Sequence, residues 1–374
     1  MQKWDGSCET RKQNHILGGI MKIFLHLENG MVFEGQSFGE MKETIGEVVF
    51  HTGMTGYEEL LSDPSYHGQM VVLTQPLVGN YGITLEDLQS DGPKLKALIV
   101  REAVKEPSGF RCEIPLPDFL EHHRVPGMES VDTRALTRVL REHGTMKGLL
   151  SDRRQTATEI RKKLQGFDNE KPALVVTTKE RYTLGSGKHH VAVMDFGIKR
   201  GILEEIVKRD WTVTVFPADT KAEVILSEHP DKVLLSNGPG DPESYQEILQ
   251  EVKKLMGKVP LLGICLGHQL LALALGGKTE KLLYGHRGAN HPVQDLETGK
   301  VFITSQNHGY VVTVLPEGVS ITHRSLQDGT VEGICEERLR VRSVQFHPEA
   351  SPGPSDAGVI FDQMLEMEKE RENA

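Results

Sequence analysis

Three short segments of this chain carry residue types fit for nucleophilic chemistry. Gly263-Ile-Cys265-Leu-Gly267-His-Gln269 stands where an apolar run meets a helical stretch, Leu266 to Leu275. Small residues two positions either side of a nucleophile permit the tight strand–turn–helix elbow of G-x-S-x-G hydrolases. Such a turn lifts the Cys265 sulfur out of the carboxyl edge of a sheet, where open α/β folds bind ligands. The positive end of the following helix favours the thiolate, which is the reactive form. An isolated cysteine is most often a small buried hydrophobe, and that reading stands for Cys112 and Cys335, which lack this setting. Cys8 lies in a leader of doubtful origin. Glycines on both sides of Cys265 favour the nucleophile.

A thiol needs an imidazole within reach, and the imidazole needs a third group to fix its tautomer. His347-Pro-Glu349 closes the last apolar strand, Arg342–Phe346, and a turn at Pro348 lets Glu349 orient His347. Alone, His-Pro-Glu is a surface turn; in a parallel sheet, that strand's end can lie beside the Cys265 elbow. Ser236-Asn-Gly-Pro-Gly-Asp-Pro242 follows another strand, so the Gly238 and Leu266 amides can hold an oxyanion between them. The loop lacks the Lys-Ser/Thr ending of a phosphate-binding loop, and the chain carries no ATP-binding motif.

These groups need a scaffold. Over 374 residues, 38% hydrophobic and 26% charged, the chain has room for two or three soluble domains. A net charge of -10 argues against nucleic acid, and no apolar run approaches a membrane span. Four scattered cysteines argue against a disulfide framework or a zinc site and suit a cytoplasmic protein. The 16 histidines include the adjacent pairs His122-His123 and His189-His190, show no metal-ligand spacing, and are expected to be structural, so no metal is expected. Lys199, on the turn after the strand Val191–Asp195, receives no firm role.

Residues 1–20 are polar and irregular, and Met21 opens a strand, Met21–Leu27, that turns at Asn29-Gly30. The expectation is that Met21 is the natural start and 1–20 a mis-called or vector-derived extension. Residues 21–150 read as a mixed β and α domain, with strands near 48–50, 70–73 and 96–100 and a helix over Asp132–Glu142. Residues 151–188 form a helix, Thr156–Gln165, and a Gly/Pro/Ser-rich linker. In 189–374, apolar strands alternate with helices, which implies an α/β fold: an open, mainly parallel sheet flanked by helices. After Gly277 the segments read as shorter strands, before a helix near Ala357–Glu370.

The Cys265 elbow, the Asn-Gly-Pro-Gly loop and His347-Pro-Glu349, in this order, resemble the class I (triad type) glutamine amidotransferase domain over about residues 189–370. Gly285-His-Arg-Gly-Ala-Asn-His-Pro-Val293 and Thr304-Ser-Gln-Asn-His-Gly-Tyr310 resemble the small subunit of carbamoyl-phosphate synthetase. So do Gly53-Met-Thr-Gly-Tyr57, Asp63-Pro-Ser-Tyr66 and Asp132-Thr-Arg-Ala-Leu-Thr137. Related amidotransferases for GMP or anthranilate synthesis do not carry that N-terminal half.

The resemblance implies that glutamine is hydrolysed to glutamate and ammonia through a thioester on Cys265. His347 moves the proton, Glu349 orients it, and Gly238 and Leu266 form the oxyanion site. It further implies that Gly53, Gly238, Gly240, Leu266, Gln269, Asn307, Gly309 and Tyr310 bind glutamine. Gly53 falls where some relatives have Ser, which leaves only backbone contact; Tyr310 stands where Phe is common. No cofactor is expected in this chain. The implied partner is a large synthetase subunit, which with ATP and Mg makes carbamoyl phosphate from bicarbonate for arginine and pyrimidine synthesis. A free-standing γ-glutamyl cysteine hydrolase is the alternative, but it leaves the N-terminal domain without a task. A catalytically silent scaffold would have lost Cys265, His347 or Glu349.

Overall fold

Asn29-Gly30 reverses the chain as the dipeptide predicts. Gly30 holds φ at 89°, and Lys22–Leu27 pairs antiparallel with Val32–Gly39. The structure is a computed structural model that describes residues 21–167 and 169–367; the expected extension over 1–20 and the last residues of the helix expected near Ala357–Glu370 lie outside the described residues. Strands Thr44–His51, Gln69–Leu73, Ala97–Ile99, Pro126–Glu129 and Met146–Ser151 join the first hairpin in a closed barrel. Closure comes from Met146–Ser151, which pairs with both Lys22–Leu27 and Thr44–His51 and leaves no open edge. The helix expected over Asp132–Glu142 spans Thr133–His143. Asp132 caps it by accepting from the Ala135 amide, and Gly144 ends it. Thr156 and Glu159 form a reciprocal capping box at the start of helix Ala157–Gln165.

In the second sheet, Trp211–Pro217, His189–Asp195, Lys232–Leu235, Leu261–Ile264 and Val341–Val344 run parallel in that spatial order. Their apolar residues serve both faces, because side chains alternate along a strand. Ala192 and Met194 pack with Leu249 and Val252 of helix Gln246–Leu255 and with Leu270 of helix Leu266–Ala274. Val191 and Val193 pack on the other face with Ile202 and Ile206 of helix Arg200–Lys208 and Phe361 of helix Val359–Leu365.

Beyond this parallel half the sheet continues antiparallel, and here the chain departs from the short strands expected after Gly277. Lys278–Asp295 and Val301–Val314 form one long ladder with three register shifts. Bulges of this kind bend a strand, and the Gly, His and Pro residues of 285–292 hide its length from a period-2 reading. The ladder curls toward the barrel. There Asn307 Nδ2 donates to Asp63 Oδ2 at 2.8 Å, and Asn237 Nδ2 donates to Ser65 Oγ at 3.0 Å.

Part of the linker also packs on this half. Tyr182–Leu184 adds an antiparallel edge strand beside Trp211–Pro217, and helix Ala173–Val176 is tied in by Tyr245. The buried Tyr245 hydroxyl donates to Pro239 O at 2.8 Å and accepts from the Ala173 amide at 3.0 Å. Tyr245→Phe leaves both groups unpaired in a dry setting. The expected loss is about 1–3 kcal/mol of stability, read as a lower urea midpoint at unchanged slope. A midpoint equal to wild type would show that the hydroxyl is not a tie.

Candidate active site

Cys265 adopts φ 54° and ψ −104°, outside the regions L-residues prefer. Strain of this kind costs roughly 1–3 kcal/mol and persists only where the surroundings enforce it. Here they do. The Cys265 amide donates to Val344 O and the Gly267 amide to Ser236 O, each at 3.0 Å. A Cβ on Gly267 would fall 2.0 Å from Leu235 O, and one on Gly263 would fall 2.8 Å from Gly267 C. The glycines flanking the nucleophile therefore let the helix start press directly on the neighbouring strands.

The loop after Lys232–Leu235 comes equally close. A Cβ on Gly238 would meet Phe196 O at 2.3 Å. Among the described residues neither the Gly238 nor the Leu266 amide donates to a protein acceptor, so both are free to hold an oxyanion.

The strand Val341–Val344 lies parallel to Leu261–Ile264 and delivers His347 beside the elbow. His347 Nδ1 donates to Glu349 Oε1 at 2.6 Å, and Lys199 Nζ donates to the same oxygen at 2.8 Å and to Ala350 O at 2.7 Å. Burial pushes the His347 imidazolium down, but the Glu349 carboxylate and the Cys265 sulfur outweigh burial and the Lys199 charge and hold it up to about 10. For Glu349, burial opposes charge, yet Lys199 and His347 bring the carboxyl down to about 2. His347 Nε2 is buried with no protein hydrogen-bond partner, while the Cys265 thiol donates to Asn307 O at 3.8 Å. The Cys265 sulfur thus acts on the His347 charge while the hydrogen bond of Nε2 stays unmade. Lys199 is the member of this site that the sequence left without a role.

Cys265 is 2% exposed and lines a cavity of about 680 Å³ between barrel and sheet. Of the eight residues that the resemblance assigns to glutamine, Gly238, Gly240, Gln269, Asn307, Gly309 and Tyr310 line the same cavity, and Leu266 is not among its lining residues. Gly53 is not among the lining residues. Its amide donates to His51 Nδ1 at 3.0 Å, and a Cβ there would fall 2.4 Å from His51 Cε1, so a Ser at this position requires the His51 ring to move. On the barrel side Ser65 lines the cavity, and from the ladder so does Arg287, which the sequence reading did not single out.

Both amide hydrogens of Gln269 are engaged, by Tyr310 O at 2.8 Å and Gln345 Oε1 at 2.9 Å, which leaves its carbonyl oxygen to accept. The Asn307 amide, expected to reach the substrate, also donates to Asp63 Oδ2 at 2.8 Å, which holds it at the cavity wall. Burial and the Asp241 carboxylate, which meets the Tyr310 hydroxyl, push that phenol up.

Behind this wall, His286, His308 and Glu332 bring potential ligand atoms within 4.8 Å of one another, a grouping the sequence spacing did not show. Hydrogen bonds account for much of it. His308 meets Tyr310 O at 2.8 Å and Gln306 Oε1 at 2.7 Å, Gln306 Nε2 donates to Glu332 at 2.8 Å, and His286 meets Asp328 at 2.8 Å. The network supports the segment 306–310 that lines the cavity.

Glu349 sets the charge of His347, and this gives a signed prediction. A raised pKa keeps the imidazolium, and so a proton for the leaving group, available as pH rises. Glu349→Gln removes the main anionic partner, so the alkaline limb of the kcat profile for glutamine hydrolysis is expected to move at least about one unit lower. The maximum rate should fall roughly 100-fold or more. An unmoved alkaline limb would refute the assignment.

Comparison with known proteins agrees with this geometry. Residues 192–367 match the family of class I glutamine amidotransferases, and residues 25–150 match the CPSase domain of the carbamoyl-phosphate synthase small chain. The chain is 55% identical over 345 residues to the carbamoyl phosphate synthase small chain of Clostridium perfringens (strain 13 / Type A), covering 92% of this chain and 99% of that one. Identity to the small chain of Bacillus caldolyticus is 49% over 354 residues, covering 94% and 97%. For the pyrimidine-specific small chain of Bacillus subtilis (strain 168) it is 48% over 350 residues, covering 93% and 96%. A nucleophile elbow, its imidazole and carboxylate, and a barrel domain all fall within these matches, and the chain belongs to the carbamoyl phosphate synthase small-chain family.

Proposed function

We propose that this chain is the glutaminase subunit of a carbamoyl phosphate synthase, cleaving the side-chain amide of glutamine and passing ammonia to a large subunit. The observation that carries the reading is Cys265 at a strained elbow on the cavity, beside an imidazole that is hydrogen-bonded to Glu349 at 2.6 Å.

Cys265 Sγ attacks the carboxamide carbon, and the carbonyl oxygen takes the negative charge against the Gly238 and Leu266 amides. The C–N bond then breaks, and ammonia leaves with the proton supplied by His347. What remains is a γ-glutamyl thioester. His347 next takes a proton from water, the water oxygen attacks the thioester carbon, and the C–S bond breaks to release glutamate. Glu349 keeps the His347 ring in the tautomer both steps need, and Lys199 holds Glu349 in turn.

This hydrolysis uses no cofactor. In the proposed complex, ATP and Mg act on the large subunit, where ammonia, bicarbonate and phosphoryl groups combine. Membership of a small-chain family implies such a partner, and a matched CPSase domain over residues 25–150 disfavours a free-standing hydrolase.

The test is glutamine hydrolysis by the purified chain, alone and with a large synthase subunit. Weak activity alone should rise about 5- to 150-fold in the complex. Cys265→Ser should lose at least about 1,000-fold. Undiminished hydrolysis in Cys265→Ser ends the mechanism, and failure to bind any large subunit would favour the free hydrolase.

A further inference from the structure

The cluster of His286, His308 and Glu332 behind the cavity wall is short of protons. His286 Nε2 meets Asp328 Oδ2 at 2.8 Å. A carboxylate accepts, so in the neutral ring Nε2 carries the hydrogen and Nδ1 is a bare lone pair. That Nδ1 is buried with no hydrogen-bond partner among the described residues, and it stands 3.7 Å from Glu332 Oε1, itself an acceptor. His308 repeats the pattern. Its Nδ1 faces Tyr310 O at 2.8 Å and so donates, which leaves Nε2 opposite Gln306 Oε1 at 2.7 Å with no hydrogen between them. Turning the Gln306 amide over gives His308 a donor but sets the amide oxygen 2.8 Å from Glu332 Oε2.

Either way, lone pairs face one another in a dry setting. Glu332 is 0% exposed, and His286 and His308 are 7% and 5% exposed. Unpaired acceptors at that depth are costly, and a cation relieves them. The three side chains are placed to share one. His286 and His308 stand directly opposite on the ladder, Glu332 comes from strand Val331–Glu336, and their ligand atoms lie within 4.8 Å of one another. Metal bonds of about 2.0–2.2 Å hold ligand atoms at most about 4.4 Å apart, so a shift of roughly half an ångström closes the set. Asp328, on the far nitrogen of His286, completes the carboxylate–histidine–metal arrangement that orients a ligating ring. Glu332 and Asp328 together balance a divalent charge, and Arg287, the cation that acts on His308, is offset by Glu47.

We propose that His286, His308 and Glu332 bind one divalent transition-metal ion, zinc by the chemistry of two imidazoles and a carboxylate. The ion is structural and takes no part in breaking the amide bond. Its work is register. Between the bulges at Lys281/His286 and Gly288/His291 the ladder keeps only three paired positions, His286 with His308, Arg287 with Asn307 and Gly288 with Gln306. An ion bonded across the first pair pins the other two, and with them the Asn307 carbonyl that accepts from the Cys265 thiol.

Metal binding is measured on the untagged full-length chain after treatment with EDTA and alkylation of its accessible thiols with iodoacetamide. Zinc is titrated by calorimetry, and cobalt(II) serves as a coloured probe. Wild type should take up about one ion per chain, and its cobalt complex should show visible d–d bands without the sulfur-to-metal band of a cysteine site. His286→Gln and Glu332→Gln should each weaken zinc at least about 100-fold, and Asp328→Asn, which touches no ion, about 10- to 100-fold. Zinc should raise the urea midpoint of wild type and leave that of Glu332→Gln unchanged.

Zinc uptake unchanged in both His286→Gln and Glu332→Gln means an adventitious ion only and overturns the site. So does a wild type that takes up no stoichiometric ion, which leaves a proton shared within the network as the group that separates the lone pairs. A sulfur-to-metal band in the cobalt spectrum overturns it as well, by placing the ion on a cysteine. Anomalous diffraction from zinc-soaked wild-type crystals needs no variant to fold, and its peak should lie among the three side chains; a peak elsewhere ends the proposal. Each of these outcomes is independent of whether the chain hydrolyses glutamine.

Discussion

Everything at this site depends on a buried row of charges, Lys199–Glu349–His347. Glu349 is wholly buried at its side chain and accepts from both cations at one oxygen, 2.8 Å from Lys199 and 2.6 Å from His347. With the imidazole protonated, the row carries one more positive than negative charge. The imidazolium is held up to about 10 because anions on both sides favour it, although burial alone would discharge it. Lys199 limits that rise by opposing the imidazolium while fixing the carboxylate's position. Replacing Glu349 leaves Lys199 and the imidazolium uncompensated in a dry site, which costs far more than a surface ion pair is worth.

The barrel contributes to this chemistry without supplying a catalytic group. Asp63 holds Asn307, Ser65 holds Asn237, and Thr52 holds the backbone of Arg287. Each contact ends on a segment that lines the cavity or adjoins one. Pro352, just beyond the Ala350 carbonyl that accepts from Lys199, lies against Gly56, where a Cβ would fall 2.0 Å from the proline ring. A displacement of the barrel therefore acts on both the substrate end and the triad end of the site, because a packed interface shifts as a unit. This is a physical route by which binding at the barrel can alter hydrolysis at the elbow.

The elbow, the histidine turn and the Gly-Pro loop were legible in the sequence because each combines an unusual residue pattern with a strand end. Local spacing was enough to name Cys265, His347, Glu349, Gly238 and Leu266. Helix Thr133–His143 was equally legible, since its cap and stop are adjacent in the chain. Barrel closure was not, because it joins residues about 120 positions apart, as Leu25 with Leu150. Lys199 and Arg287 were missed for the same reason. A cation in sequence looks solvated, and only the fold shows that one pairs with a carboxylate 150 positions away and that the other is buried at the cavity near Glu47. Asn307 was placed at the cavity, but its tie to Asp63 was not legible, because nothing local to it signals a residue 244 positions away.

Those misses share a cause that bears on how the site works. A sequence pattern reports groups whose backbone setting is special, such as a strained turn or a glycine where nothing larger fits. It does not report groups whose setting is special only electrostatically. In this chain the first kind makes and breaks the bond, at Cys265 and the oxyanion amides. The second kind, of which Lys199 is the member that meets the triad, fixes the charge states of His347 and Glu349. The two kinds meet on the ladder Lys278–Asp295 and Val301–Val314, which places Arg287 opposite Asn307 and Asn307 against the thiol. The register of that bulged ladder therefore sets which side chains line the cavity beside the nucleophile. Because side chains alternate along a strand, a slip of one residue would turn Arg287 away from the cavity while leaving the triad untouched.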